Sequence, residues 1–105
     1  MSPVAEMDVF AVLSDPTRRR LVEFMHDGER SVSELVAHVD IDQPGVSRHL
    51  RILKEAGFVN VRADGRRRMY SLRPEPLRVL ASWMRRYAHQ EVDRIRRLAS
   101  FVQEP

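Results

Sequence analysis

One stretch of this chain, residues 59–72, alternates apolar and polar side chains with the period of a strand, and it limits the possible folds more than any other feature. Val59 and Val61 alternate with Asn60 and Arg62, Tyr70 and Leu72 alternate on the return, and Asp64-Gly65 between them is a favoured pair for a two-residue type I′ turn. A lone pair of strands is marginal in water, so it must lie against other elements. The rest of the chain reads with helical spacing. The expected fold class is therefore mainly α with a small, two-stranded β-hairpin.

Stop and start signals divide the helical remainder. Pro3 to Leu13 carries Val4, Met7, Phe10 and Ala11 at helical intervals, and Ser14-Asp15-Pro16 ends that helix and begins another. There Asp15 suits an N-cap and Pro16 a first helical position. Leu21, Val22, Phe24 and Met25 form its apolar stripe up to Gly28. Ser31-Val32-Ser33-Glu34 has the spacing of a capping box, with Leu35, Val36 and Val39 following. Asp42 can cap a fourth helix from Gln43 to Ala56, with Val46, Leu50 and Leu53 on one face and Gly57 as its stop. After Pro74-Glu75-Pro76 a last helix runs to about Val102, with Leu77, Leu80, Met84, Tyr87, Ala88, Val92, Ile95, Leu98 and Val102 along one side.

With 105 residues, the chain sustains one hydrophobic core and little else, which excludes a large enzyme and sets the expectation of a single domain over residues 1–105. Cysteine is absent, so disulfides, thiolate nucleophiles and Cys-ligated metals are excluded together. No apolar run approaches the ~20 residues of a membrane span, and Glu6 and Asp8 sit where a secretory signal would be basic or apolar. A cytoplasmic protein without a membrane partner is the expectation. The net charge of +3 conceals a strong asymmetry. Residues 1–42 hold 4 basic and 9 acidic groups, net −5, whereas residues 43–73 hold 8 and 2, net +6. A basic block inside an otherwise acidic domain is the electrostatic footprint of a polyanion site.

The side chains of that block fit duplex DNA. Two helices with a short break between them, the second opening on small polar residues, make a helix-turn-helix over residues 31–56. If Val46, Leu50 and Leu53 face the core, Pro44, Ser47, Arg48, Arg51 and Glu55 face outward, with Gln43 and Lys54 on the flank. Glutamine can bind adenine bidentately and arginine guanine, while serine suits a base edge or a phosphate. Arg62, Arg66, Arg67 and Arg68 surround the hairpin tip, where arginine can follow a phosphate backbone or enter a minor groove. A charged edge also keeps a sheet from sticking to its neighbours, so the tip alone does not decide function.

Residues 12–72 resemble the winged helix-turn-helix core of the ArsR-type bacterial repressors. The stretches VLSDPTRRRLVEFM, SVSELVAHVDIDQPGVSRHLRILKEAGFV and GRRRMYSL carry the resemblance, the central one most specifically. It implies five helices and a two-stranded wing over residues 58–72, with operator DNA as the partner. It also implies a homodimer joined through the first and last helices, residues 1–13 and 75–103. On this chain the base-reading positions fall at Gln43, Pro44, Ser47 and Arg48, with Arg66 and Arg67 on the wing. Pro44 has no N–H, so it offers apolar contact only. The dimer seam falls on Met7 and Phe10 of the first helix and on Leu80, Met84, Tyr87, Ile95 and Leu98 of the last, a helix of roughly 40 Å that overhangs a domain this small.

Sensing is where the chain departs from the pattern. Many relatives hold a metal through cysteines, which are absent here. Others pair Asp, His and Glu on the last helix, where this chain offers His89 and Asp93 with Glu91 between them but no second histidine. The expected reading needs no cofactor. A metal-responsive repressor using His89 and Asp93 across the dimer seam stays open as an alternative. So does a protein-interaction module presenting Trp83 and Tyr87. Catalysis finds no support, since Ser47 and His49 are two apart on a helix and no glycine-rich phosphate loop is present.

Overall fold

The computed structural model describes residues 6–103, with side chains over residues 9–102. Pro3 and Val4 of the expected first helix, and the side chain of Met7, lie outside the described residues. The elements follow in the order α1 (Glu6–Leu13), α2 (Pro16–His26), β1 (Arg30–Ser31), α3 (Val32–His38), α4 (Gln43–Glu55), β2 (Val59–Asp64), β3 (Arg67–Leu72) and α5 (Pro74–Gln103). The three expected caps form. Asp15 Oδ1 accepts the amides of Thr17 at 2.8 Å and Arg18 at 3.1 Å, and Asp42 Oδ1 accepts that of Gly45 at 2.9 Å. At α3 the box closes both ways: the Ser31 amide donates to Glu34 Oε1 at 2.8 Å and the Glu34 amide to Ser31 Oγ at 3.2 Å.

The core joins Val9 and Val12 of α1, Leu21, Val22 and Met25 of α2, Leu35 and Val39 around α3, Val46, Leu50 and Leu53 of α4, and Phe58 with Val59. Leu77, Val79 and Leu80 of α5 pack against it half-buried. The end of α4 is a Schellman motif. The Gly57 amide donates to the Lys54 carbonyl at 3.0 Å and the Phe58 amide to the Leu53 carbonyl at 2.8 Å, with Gly57 at φ +79, where a side chain would be strained. The apolar contact that accompanies this motif is made by Leu53 and Phe58, both wholly buried.

The sheet differs from the expected hairpin in three respects. It has three strands in the order β1-β3-β2, because Arg30 and Ser31 pair with Tyr70 and Met69; a two-residue strand carries no alternation to read. Its turn is Gly65-Arg66 rather than Asp64-Gly65, since Asp64 pairs with Arg67. A type I′ turn at Asp64-Gly65 would require positive φ at Asp64. In the observed turn only Gly65 has it, at φ +63, as type II′ requires. This register sets Val59 opposite Leu72 and Val61 opposite Tyr70, whereas the expected one would set Val61 opposite Arg68. Lastly, Met69 is buried although it lies on the face opposite to Tyr70, so β3 contacts protein on both faces.

The α5 helix gives the molecule extents of 67 × 34 × 21 Å. Its radius of gyration is 18.2 Å, against roughly 13 Å for a compact chain of this length.

The α3 cap carries a pH signature. Glu34 sits below its ordinary pKa of 4.5 because the Ser31 amide, then the Ser31 hydroxyl, donate to its charged form. A carboxylate held low in the fold stabilises it fully above the unfolded value and ceases to do so as pH falls through the folded one. Ser31→Ala should lower the unfolding free energy by about 1 kcal/mol at neutral pH. In urea titrations Glu34→Gln should remove part of the stability loss that the parent shows below pH 4.5.

Candidate nucleic-acid interface

The outward face of α4 is exposed from Gln43 and Pro44 through Ser47, Arg48, Arg51, Lys54 and Glu55. Its amphipathic pitch divides these residues between two directions. Gln43, Ser47, Arg51 and Lys54 form one wall of an open groove of about 590 Å³, whose other wall carries Arg66, Arg67 and Arg68 of the wing. Pro44 and Arg48 do not line that groove; they stand on the outer crest of α4 beside it. Of the residues expected to face DNA, the structure thus brings Gln43, Ser47, Arg51, Arg66 and Arg67 together and sets Pro44 and Arg48 on the adjoining ridge. Lys54, Arg68 and Ser33 belong to the groove as well. For Lys54 the signal was its spacing of eleven from Gln43, three helical turns on the same face. For Ser33 it was its place in the first turn of α3, where the cap uses Ser31 and leaves Ser33 exposed.

The arginines divide by what they touch. Arg62, one of the bases expected around the hairpin tip, is not available there. Its Nε and Nη2 donate to the two carboxylate oxygens of Glu29 at 2.6 and 2.7 Å, tying β2 to the residue before β1. The bonds from Arg62 hold the Glu29 carboxyl below its ordinary range and raise the guanidinium in turn. Arg67 stands 3.9 Å from Glu34, a loose pair. Arg48, Arg51, Lys54, Arg66 and Arg68 make no hydrogen bond or ion pair among the described residues, so a band of unpaired cations runs over α4 and the wing tip. Such a band attracts a polyanion.

Between α1 and α5, Phe10 meets Trp83 edge to face at 4.9 Å, and Trp83 lies 5.0 Å from Tyr87. Met84, Tyr87, Val92, Ile95, Leu98, Phe101 and Val102 continue as an exposed apolar stripe, and Phe10 is at the margin of exposure. Among the described seam residues, Leu80 differs in being half-buried against its own core. His89 Nε2 and Asp93 Oδ2 are 3.6 Å apart on α5, and among the described residues no three His, Cys, Asp or Glu side chains converge on one point. Within one chain, the described residues thus offer this pair of donors at that point and no third. No helix of the described residues is long and apolar enough to cross a membrane.

Known proteins are similar to this chain in sequence and fold. Residues 15–61, from the cap of α2 into β2, match the family described as bacterial regulatory protein, arsR family. The transcriptional repressor SdpR of Bacillus subtilis (strain 168) is 34% identical over 77 residues, covering 73% of this chain and 86% of that protein. The chain belongs to the arsR family of bacterial regulatory proteins. As an arsR-family member it is a winged helix-turn-helix DNA-binding transcriptional regulator. The probable mercury resistance operon repressor of Streptomyces lividans is 46% identical over 63 residues, which span 60% of this chain but only half of that protein. A crystal structure of a possible transcriptional regulator for arsenical resistance superposes with a TM-score of 0.72 at 42% identity, covering 84% of this chain and 92% of the other.

Within this arsR-family wing, Arg62 and Arg66 should behave differently. Hydrogen exchange at the amides of β2 and β3 should quicken in Arg62→Ala and in Glu29→Gln, because the wing loses its tie to β1. Exchange should stay unchanged in Arg66→Ala, whose side chain ties nothing down. Equal protection in all three variants would show that the ion pair does not hold the wing.

Proposed function

We propose that this chain is a transcriptional repressor that binds an inverted-repeat operator as a homodimer, in the cytoplasm, without catalysis and without thiolate-bound metal. The observation that carries this reading is the band of unpaired Arg48, Arg51, Lys54, Arg66 and Arg68 over α4 and the wing. Gln43, Ser47 and Arg48 read base edges in the major groove, Pro44 adds apolar contact, and Arg66, Arg67 and Arg68 follow phosphates. The groove between α4 and the wing has the polarity to receive a strand of the backbone.

Dimerisation is supported by α5. Its 30 residues extend beyond the core, and the stripe from Met84 to Val102 would stay wet on a single chain. A two-fold axis along α1 and α5 covers it and presents two reading helices to half-sites about one helical turn, roughly 34 Å, apart. Residues 1–13 and 75–103 then serve the seam, 31–56 the reading head and 58–72 the wing, within one domain over 1–105. The absence of cysteine and the thin His89 and Asp93 pair support a regulator whose DNA binding requires no metal.

Light scattering at micromolar concentration should give twice the 12.3 kDa chain mass, and a monomer would refute the two-fold arrangement. A salt titration on a duplex selected from a random pool, against an unselected duplex, separates the two kinds of DNA contact. Arg48→Ala should cost about 1–3 kcal/mol on the selected duplex and relax preference at one position per half-site. Arg66→Ala should weaken both duplexes alike and reduce the salt slope by about one for each phosphate it no longer neutralises. The opposite assignment, with Arg48 neutral and a wing residue decisive, would move base reading from α4 to the wing.

A further inference from the structure

Arg18 occupies a position that neither the core nor the groove accounts for. Its Nε donates to the Val12 carbonyl at 2.7 Å, an acceptor left over at the end of α1, and its Nη2 to the Ala11 carbonyl at 3.3 Å, which also accepts the amide and hydroxyl of Ser14. Its Nη1 lies 3.3 Å from Nδ1 of His49, a half-buried residue of α4. A guanidinium has donors only, so His49 accepts at Nδ1 and carries its proton on Nε2. One side chain thus spans from the helix proposed for the dimer seam to the residue next to Arg48 on the reading helix.

We infer that Arg18 is a positioning residue for operator discrimination: through His49 it sets the seat of the reading helix relative to α1, and so relative to the partner subunit. This rests on the proposed DNA-reading function and deepens it. The planar fork is what the geometry uses, since three acceptors on two helices are met from one rigid group. A lysine in its place is a point charge on a flexible stem and cannot hold the same three at once. Base reading depends on the placement of α4 to within a fraction of an ångström, whereas phosphate contacts from long side chains tolerate small rotations. Breaking the link should therefore appear in specificity and not in general affinity.

The test uses the full chain, a duplex selected from a random pool by the parent protein, and a random duplex. Arg18→Lys and His49→Phe should each lower the ratio of selected to random affinity by about tenfold. Random-duplex affinity, salt slope and dimer mass should hold at parent values. The double variant should be no worse than either single one, as expected for partners in one interaction. His49→Asn, which can place an oxygen near the Nδ1 position, should keep the parent ratio. If Arg18→Lys fails to fold, the comparison of His49→Phe with His49→Asn decides alone. The inference is overturned if the ratio is unchanged in both His49→Phe and Arg18→Lys, if selected and random affinities fall in parallel, or if His49→Asn falls as far as His49→Phe. A parent protein that discriminates no duplex at all would instead refute the DNA-reading function itself.

Discussion

The wholly buried Phe58 is the point on which the DNA-facing half of the molecule depends. Its amide closes the last turn of α4 on the Leu53 carbonyl, and its own carbonyl accepts the Arg73 amide at 2.8 Å where β3 leads into α5. Its ring fills the core beside Leu53, with no exposed surface. The reading helix therefore passes into the wing with no slack, and the angle between them is set by one residue in left-handed conformation, Gly57, and one anchored aromatic. A helix and a hairpin joined by a flexible loop would present the same charges without a fixed groove. Here the groove is a consequence of how α4 ends.

Burial is unequal along the chain, and the inequality separates the working surfaces. From Val9 to β3 most large apolar side chains find the core, with Phe10 and Ile52 at the margin of exposure. Along α5 the pattern changes after Leu80: Ile95, Leu98, Phe101 and Val102 are between 62% and 80% exposed, although they follow the same helical spacing as Leu77 and Leu80. Roughly 25 cal/mol per Å² of apolar surface drives such a stripe to find a partner. The amphipathicity of α5 is continuous, while the domain beneath it ends. That mismatch between helix length and core size is the physical argument for a two-chain assembly.

Most helices were legible because their signals are local. Asp15 with Pro16, Ser31 with Glu34 and Asp42 with Gly57 are cap chemistry within three or four residues or at a single stop, and each formed as read. The turn was not legible to the same degree. Asp64-Gly65 and Gly65-Arg66 are both competent hairpin pairs, and the choice between them came from cross-strand pairing of Val61 with Tyr70 and Val59 with Leu72, which a local reading does not weigh. β1 escaped for a related reason, as its partners lie about forty residues away and Ser31 was already accounted for as a cap. The face of α4 followed from periodicity, but which part of it shares a groove with Arg66 to Arg68 followed only from the packing of the wing.

Charge was the least legible property, because a sequence counts bases without showing where their donors go. Arg18, Arg19 and Arg20 donate to the carbonyls of Val12, Leu13 and His38, all near helix C-termini where the carbonyls lack partners. Arg30 donates to the Phe24 carbonyl, and its guanidinium lies 4.1 Å from the centre of the Phe24 ring, which stacks on His38 on another side at 3.9 Å. Arg62 is taken by Glu29. In the acidic first third, arginine acts as a structural donor whose charge is offset nearby. From Arg48 to Arg68 most cations meet no such acceptor, since the part of the acidic segment that borders the groove offers Ser31 and Ser33, and of the cations lining it only Arg67 comes near a carboxylate, that of Glu34 at 3.9 Å. The same residue type thus works inward in one part of the chain and outward in another. The field that meets a phosphate backbone is set by those few outward cations, and a net charge of +3 understates it.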